Sequence, residues 1–381
     1  MKKKTQSGNN LKVLLVSPSP PPVGGIQSWT VNILDFLKGQ DAIRFCYIDS
    51  AVKYKDILEI GLWKRFSAGI RVTADLINAL KTTIPKENPN VIHLTSSASL
   101  ALFKDYLILK LAKRYNVPVV IHWRFGRIPD LAIKKNWEWK LISYIIQKSA
   151  FSIVIDEHSF EILKINGFKN IANIANPISK ELEQIALRQI KSERKIEEGK
   201  VIFVGHVYVR KGVYELVEAC ASIKKVKKLK LIGPVKDEVS KELKNIAQVR
   251  EDGEWLQLTG AKSREEVYEE ICSAEFLVLP SYTEGFPNIV IEGMAMGCPI
   301  LATNVGAIPE MLDICNSPAG FCISPQNIGA LKESIEMMFV EKELRTEYGH
   351  NGLKRVLQNY NMHHIIEQYI TVWQQVSNTT I

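Results

Sequence analysis

Two glutamates with seven residues between them follow a predicted buried strand. The strand Phe276–Leu279 ends at Pro280, and the run Ser281-Tyr-Thr-Glu284-Gly-Phe-Pro-Asn-Ile-Val-Ile-Glu292 comes next. Pro287 suits the first position of a helix, because its missing N–H has no partner there in any case. Glu284 is therefore expected at the mouth of a helix and Glu292 inside it, roughly 7–8 Å beyond Pro287.

This pattern predicts a site for an elongated anion that carries hydroxyl groups. The free N–H groups and the positive end of the helix dipole attract phosphate. The two carboxylates accept hydrogen bonds from sugar hydroxyls. A sugar nucleotide has this shape, and the amides of Gly285, Phe286 and Asn288, with Pro287 between them, are expected to lie against it.

A second loop supplies cations. The strand Val201–Val204 ends at Gly205, and the segment His206-Val-Tyr-Val-Arg210-Lys211-Gly212 leads to the next helix, which is expected to start near Lys211. Cations in such a strand-to-helix loop can neutralise a departing diphosphate. Lys211 is the first candidate, with His206 and Arg210 as alternatives for the second cation.

Two features of the first half complete the predicted site. Gly24 and Gly25 lie between the first strand and the first helix, where a small backbone lets a phosphate or a sugar approach closely. His122 ends the predicted strand Val117–His122. His93 also ends an apolar strand, and the sequence assigns no role to it.

These motifs resemble the donor site of retaining glycosyltransferases with two Rossmann-like domains, the group often called family 4 or glycosyl transferases group 1. The resemblance rests on Glu-x7-Glu with Glu-Gly-Phe-Pro-Asn, on the following Gly297-Cys-Pro-Ile-Leu-Ala-Thr-Asn-Val-Gly306-Ala-Ile-Pro-Glu310, and on the Gly205–Gly212 loop. It extends over most of the chain. Family members commonly have Arg directly after the first glycine of the Gly205–Gly212 loop, and this chain has His206 there.

The resemblance implies a role for each candidate residue. Lys211, with His206 or Arg210, would stabilise the diphosphate, and Glu284 would hold the donor sugar. Glu292 would bind the ribose hydroxyls, and His122 would orient the sugar or the acceptor. Transfer with retention would then proceed without an enzyme nucleophile, and no metal or other cofactor is expected.

Composition bounds the class of protein. The chain has 381 residues, which suits about two domains, and no apolar stretch long enough to span a bilayer is evident. The six cysteines have no CxxC spacing, and we expect them to be reduced core residues of a cytoplasmic protein. Residues 1–180 hold 26 Lys and Arg against 13 Asp and Glu, and the remainder holds 23 against 28, so the first half is basic. An anionic membrane surface is the expected partner of that half, at the inner face of the cell membrane, rather than nucleic acid.

The order of elements predicts an α/β fold. Short apolar β-branched runs alternate with helical-period stretches in two series. We expect two Rossmann-like doubly wound parallel-sheet domains facing a central cleft, the GT-B architecture. The expected limits are 1–180 for an acceptor-side domain, 181–360 for a donor-binding domain and 361–381 for a last helix that the resemblance returns to the first domain.

The predicted function is transfer of a hexosyl or N-acetylhexosaminyl group from a nucleotide-diphosphate sugar to a glycan or polyprenyl-linked acceptor, in the biosynthesis of a surface polysaccharide such as capsule or lipopolysaccharide. Two alternatives remain open. One is a catalytically weak or inactive partner subunit, which His206 suggests, and the other is a nucleotide-sugar epimerase. An NAD-dependent dehydrogenase is disfavoured because neither half begins with Gly-x-Gly-x-x-Gly and a later acidic ribose ligand.

Overall fold

The structure is a computed structural model, and it describes residues 11–21, 24–40, 43–51, 62–250, 254–313 and 316–378, with only the backbone of 62–68. The chain divides into two compact units. The first comprises Met1–Ala175 together with Ile366–Ile381, and the second comprises Asn176–Ile365. The limits expected from the sequence were 180 and 360, and each lies five residues from the observed division. Cys315, one of the six cysteines counted in the sequence, lies outside the described residues.

The first unit alternates strands and helices. Its elements are β1 (Leu11–Ser17), α1 (Gly25–Leu37), β2 (Ile43–Asp49), α2 (Leu62–Glu87), β3 (Val91–Ser96), α3 (Ala101–Arg114), β4 (Val119–Trp123), α4 (Ile128–Lys134), α5 (Trp137–Lys148), β5 (Phe151–Val154), α6 (Glu157–Ile165) and β6 (Ile171–Asn173). The six strands form one parallel sheet in the order β2-β1-β3-β4-β5-β6.

Both faces of this sheet are covered, as alternation along the strands requires. Ile92 and Leu94 of β3 belong to a core that also contains buried residues of α2, α3 and α5. His93, between them, points to the opposite face, where Trp29 of α1 stacks on it. Ile121 and His122 divide between the two faces of β4 in the same way.

The second unit repeats the plan. Its elements are α7 (Lys180–Gln189), β7 (Lys200–Val204), a 3-10 turn (Val209–Lys211), α8 (Val213–Ala221), β8 (Lys228–Ile232), α9 (Asp237–Ala247), β9 (Leu256–Gly260), α10 (Arg264–Ser273), β10 (Phe276–Leu279), α11 (Asn288–Ala295), β11 (Ile300–Thr303), α12 (Ile308–Leu312), β12 (Gly320–Ile323), α13 (Ile328–Val340) and α14 (Lys342–Asn359). A last helix, α15 (Met362–Asn378), begins in this unit and ends in the first.

The second sheet has the order β12-β11-β10-β7-β8-β9 and is parallel throughout. Two parallel six-stranded sheets flanked by helices are the α/β fold predicted from the sequence. Two helices begin at other residues than the sequence predicted. α11 begins at Asn288 with Pro287 before it, and α8 begins at Val213 because a 3-10 turn occupies Val209–Lys211. β12 and the helices α4 and α5 were not predicted.

Candidate functional site

The candidate donor site lies at the point where the second sheet reverses its strand order. From β7 the chain adds β8 and β9 on one side and then returns to add β10 on the other. The loops that leave β7 and β10 therefore diverge from neighbouring parallel strands. In open α/β sheets this opening at the carboxyl ends is where ligands bind. Lys211 lies on the first of these loops and Glu284 on the second.

Gly212 fixes the distance between the two loops. Its φ of +67° is left-handed, and a Cβ at this position would lie 2.0 Å from the carbonyl oxygen of Pro280. The backbone N–H of Tyr282 donates to the carbonyl of Arg210 at 2.9 Å. The Tyr282 hydroxyl also donates to Glu215, and burial followed by this contact raises the pKa of Tyr282 to about 12. The loop after β7 is thus packed directly onto the loop after β10.

Glu284 and Lys211 form an ion pair across these loops. The ammonium Nζ of Lys211 is 2.5 Å from Oε1 of Glu284, and the two side chains are 20% and 11% exposed. The Ser281 hydroxyl donates to the same carboxylate oxygen at 2.6 Å. Thr303 in turn donates to the Ser281 carbonyl at 2.6 Å. One carboxylate oxygen of Glu284 is therefore held by two donors, and Oε2 is left for other contacts.

The backbone behind Glu284 is held by the turn that follows β11. The N–H of Ala307 donates to the carbonyl of Gly285 at 2.8 Å. At Gly306, where φ is +56°, a Cβ would lie 2.4 Å from the Glu284 carbonyl oxygen. A side chain at Gly306 would push Glu284 and Gly285 away from their positions. This contact explains the glycine of the Val305-Gly306-Ala307 turn.

The start of α11 faces the same opening. Pro287 precedes the helix with extended ψ, and no side chain caps it. The first N–H groups of any helix have no partner within it and attract anions. The Asn288 side chain accepts a hydrogen bond from Asn176 at 2.8 Å. Phe286 is buried and packs edge-on against Tyr360, with ring centroids 5.9 Å apart.

Glu292 lies one turn beyond Asn288 on α11 and is partly buried. Burial raises the pKa of its carboxyl group, and the charge of Arg264 on α10 opposes the shift. Its half-shielded carboxylate suits a group that binds neutral hydroxyls, since hydrogen bonds from such a ligand would replace the lost hydration.

His206 and Arg210 are placed less tightly. Both side chains are exposed. Within the part of the chain that the structure describes, neither side chain has an ion pair or a hydrogen bond. The structure brings Lys211 and Glu284 together and leaves His206 and Arg210 exposed on the loop after β7.

The remaining predicted residues belong to the first unit. Gly24 precedes α1 in an extended conformation, and Gly25 is its first residue. A Cβ on Gly25 would meet nothing within 4 Å, and one on Gly24 would meet only the end of the Gln27 side chain. Neither glycine is required by the packing of the first unit. Their predicted reason, close approach of a ligand, stays a prediction.

His122 is fully buried inside the first unit. The Trp373 indole donates to Nδ1 of His93 at 3.0 Å, and Nε2 of His93 is 3.2 Å from Nδ1 of His122. Burial and the charge of Arg124 lower the pKa of His93 to about 3, and the same causes lower that of His122, so both rings are neutral. The proton of His93 is therefore on Nε2 and is donated to His122. Nε2 of His122 lies 3.3 Å from Nη1 of Arg124. The predicted contact of His122 with sugar or acceptor stays a prediction.

Sequence reasoning assigned no role to several residues that shape the donor site. Ser281, Thr303 and Asn176 hold Glu284 and Asn288, and Gly306 holds the backbone behind them. Ser281 could have been found, because it precedes Glu284 by three residues in one short loop. Thr303 and Asn176 could not, since their contacts join segments that are far apart in the sequence.

Comparisons with known proteins bear on the family that the chain resembles. Residues 187–355 match the family model described as "Glycosyl transferases group 1", and this range contains Lys211, Glu284 and Glu292. The second unit thus matches group 1 glycosyltransferases over most of its length. This result confirms the family that the Glu-x7-Glu and Gly205–Gly212 motifs indicated.

Relatives and solved structures extend the likeness to the first unit. An uncharacterized glycosyltransferase of Methanocaldococcus jannaschii is 28% identical over 351 residues, 90% of this chain and 92% of its own length. N,N'-diacetylbacillosaminyl-diphospho-undecaprenol alpha-1,3-N-acetylgalactosaminyltransferase of Campylobacter jejuni is 24% identical over 76% of this chain and 78% of its own. The structure of sucrose-phosphate synthase from Thermosynechococcus elongatus superposes with a TM-score of 0.72, 18% identity and coverage of 97% and 100%. This superposition confirms the GT-B fold predicted from the sequence.

Two further findings bear on the glycosyltransferase. Within the described ranges, the structure contains no group of three His, Cys, Asp or Glu side chains that could hold a metal ion. Among the helices described, none combines the length and the apolar character needed to cross a membrane. The sequence-based expectation that no metal is required stays a prediction.

Proposed function

We propose that this glycosyltransferase uses a nucleotide-diphosphate sugar as donor and transfers a hexosyl or N-acetylhexosaminyl group with retention. The Lys211–Glu284 pair at the strand-order reversal carries this proposal. A cation for phosphate and a carboxylate for sugar hydroxyls lie side by side there, next to the start of α11. Structures of Anabaena HepE, which has the same fold with a TM-score of 0.69 and 14% identity, were solved with UDP and, in a further crystal, with UDP-glucose.

The roles of the donor-site residues follow from their hydrogen-bonding capacity. The Lys211 ammonium has three N–H donors and uses one on Glu284, so others are free for the diphosphate. Oε2 of Glu284 would accept hydrogen bonds from the sugar, and the amides of Gly285, Phe286 and Asn288 would contact its hydroxyls or the phosphate. Glu292 would accept from the ribose hydroxyls. His206 or Arg210 would supply a second cation.

In the proposed reaction, the bond between the anomeric carbon and the diphosphate oxygen breaks, and its electron pair leaves with the nucleoside diphosphate. The acceptor hydroxyl attacks from the same face of the sugar, and its proton passes to the leaving phosphate oxygen. The positive charge that develops on the sugar is thus close to the leaving group throughout. Stabilisation of the diphosphate by Lys211 would provide much of the catalysis.

The acceptor is proposed to be a hydroxyl group of a glycan or a polyprenyl-linked glycan in surface polysaccharide synthesis. The Campylobacter relative is named for a diphospho-undecaprenol acceptor. A capsular polysaccharide biosynthesis glycosyltransferase of Staphylococcus aureus is 28% identical over 170 residues, 44% of this chain and 43% of its own. Both names support a lipid-linked or polymeric acceptor.

A titration of the purified protein with a panel of nucleotide sugars would test the donor. We expect calorimetry to find one nucleotide base with clear preference, and slow release of free sugar from that donor. The anomeric configuration of the first sugar released, followed by NMR, would test retention. If no nucleotide sugar binds, the donor proposal is wrong and the inactive-partner alternative gains support.

A further inference from the structure

The first unit has an exposed apolar surface on two adjacent helices. Leu100, Phe103 and Leu107 are spaced by three and four residues, so they lie on one face of α3 and its start. Their exposed fractions are 65%, 55% and 43%. On the neighbouring α5, Trp137 and Tyr144 are 52% and 42% exposed, and Ile133 at the end of α4 is 77% exposed. These six residues are called the α3–α5 face.

Ring contacts join the two helices of this face. The rings of Phe103 and Trp137 stack with centroids 6.0 Å apart. Tyr106 and Tyr144 meet at 5.8 Å one turn or more further along. The exposed rings therefore form one continuous surface. Single exposed apolar residues are common on proteins, whereas a contiguous apolar patch indicates an interaction site.

The border of the α3–α5 face is basic. Between residues 100 and 148 the chain has ten Lys or Arg and three Asp or Glu, a net formal charge of +7. Two of the three acids, Asp105 and Glu138, are buried, so Asp130 is the exposed acid of this segment. The exposed basic residues are Lys110, Lys113, Arg114, Lys134, Lys135, Lys140 and Lys148.

Two lysines of this border are held beside the aromatic rings. Nζ of Lys110 lies 4.7 Å from the Tyr106 ring centroid, and Nζ of Lys148 lies 5.8 Å from that of Tyr144. Ammonium groups next to tyrosine rings form a mixture that suits the headgroup region of a bilayer, since the rings enter the interface while the cations meet lipid phosphates.

We infer that the α3–α5 face docks this protein onto an anionic lipid surface. Phe103 and Trp137 enter the headgroup region, and the lysines around them pair with phosphate groups. The positive charge argues against a protein partner of ordinary composition and for a surface dense in negative charge. The inference goes beyond the proposed function, because it concerns helices of the first unit that carry none of the proposed donor-site residues.

Co-sedimentation with vesicles tests this inference independently of activity. The full chain should bind vesicles of phosphatidylcholine and phosphatidylglycerol in equal parts, and bind pure phosphatidylcholine weakly. High salt should weaken the binding. The double variant Phe103→Ser/Trp137→Ser should bind at least about tenfold more weakly, since two partly buried rings are lost from the interface. Ile165→Ser, on α6 of the same unit and 76% exposed, is the matched control and should bind normally.

A charge variant separates the two contributions. Lys134→Gln/Lys140→Gln keeps the rings and should weaken binding to the anionic vesicles by roughly fivefold per lysine, while Lys241→Gln/Lys244→Gln on α9 should have no effect. Equal binding by the wild-type protein and both α3–α5 variants would overturn the inference. So would a result in which Phe103→Ser/Trp137→Ser converts a dimer to a monomer in sedimentation velocity while no vesicle binding is seen, because the face would then be an interface between copies.

Discussion

At the scale of single residues, the donor site depends on where charge is held. Glu284 has one oxygen engaged by Lys211 and Ser281. It is oriented before any ligand arrives, so little ordering is required when a sugar binds. Glu292 is shielded by burial, whereas His206 and Arg210 remain in solvent. Because one carboxylate is paired, one is shielded and the two basic residues are in solvent, substitutions at these positions should have different effects.

Glu284→Gln should preserve the fold and lower turnover by at least about tenfold. A contact made by a charged group to the reacting sugar contributes on the order of 1–3 kcal/mol, and the amide accepts more weakly and loses the pairing with Lys211. Steady-state rates with the preferred donor measure the effect. Glu238→Gln, exposed on α9, is the control. Near-normal turnover in Glu284→Gln would remove this residue from the mechanism.

Glu292→Gln should weaken donor binding and stabilise the unliganded protein. The ribose changes little in the reaction, so affinity should fall more than turnover. Burial raises the pKa of Glu292 from 4.5, so its ionisation costs stability in the fold. That cost is absent below pH 4.5 and is complete above the raised pKa. Thermal unfolding of Glu292→Gln should therefore show a gain at neutral pH that disappears on acidification, and calorimetry measures donor affinity. Unchanged affinity with greatly reduced turnover would exchange the roles of Glu284 and Glu292.

His206→Arg should raise donor turnover, because a guanidinium group binds phosphate through two N–H donors in a fixed fork. His206→Ala should lower turnover, because it removes the contact with the diphosphate. Steady-state rates of both variants measure the effect. If both variants turn over the donor at the wild-type rate, Lys211 serves the diphosphate alone or with Arg210.

At the scale of elements, Gly212 shows how a turn positions two charged side chains. Gly212→Ala places a Cβ 2.0 Å from the Pro280 carbonyl oxygen in a left-handed backbone. We expect it to destabilise the second unit by roughly 1–3 kcal/mol and to weaken donor binding, because Lys211 would move away from Glu284. Gly260→Ala is a matched control with φ of +70° and no atom within 4 Å of the new Cβ. Equal donor affinity in the two variants would show that the spacing of the loops does not matter.

The elements themselves were largely predictable from the sequence. Most strands could be recognised, because buried parallel strands are short runs of apolar, β-branched residues such as those of β1 and β10. β12 was missed because Gly320–Ile323 is four residues long and only its ends are buried. Helix α4 was missed because it is a seven-residue element between the left-handed Lys135 and a proline at its start. The two glutamates of Glu-x7-Glu could be recognised in the sequence. Thr303 and Asn176 could not, because they come near the site only when the chain is folded.

At the scale of the whole molecule, the end of the last helix, α15, belongs to the same unit as the start of the chain. Residues 366–381 belong to the first unit, where Tyr369 and Trp373 are fully buried. Tyr369 packs against Trp29, His93 and His122, and Trp373 packs against His93. Trp373 also donates to His93. The end of α15 is therefore part of the core of the first unit, and the stability of this unit depends on residues that follow the entire second unit in the sequence.

The two buried histidines predict that the first unit is the more sensitive to acid. Burial lowers the pKa values of His93 and His122 far below 6.5, to about 3 for His93, so the folded unit holds both rings neutral. Once unfolded, each ring takes up a proton below about pH 6.5. Stability from this source is present above pH 6.5 and is lost as the pH falls, by about 2 kcal/mol for His93 between pH 7 and pH 5.

The histidines of the second unit that the structure describes are all exposed, namely His206, His350, His363 and His364. Hydrogen exchange read separately for peptides of the two units at pH 7 and pH 5 measures the difference, after correction for the intrinsic pH dependence of exchange. We expect protection of β3, β4 and α15 to fall at pH 5, while β7 and β10 remain protected. His350→Gln should leave this pattern unchanged. If both units lose protection together at pH 5, the neutral pair His93–His122 is not what makes the protein sensitive to acid.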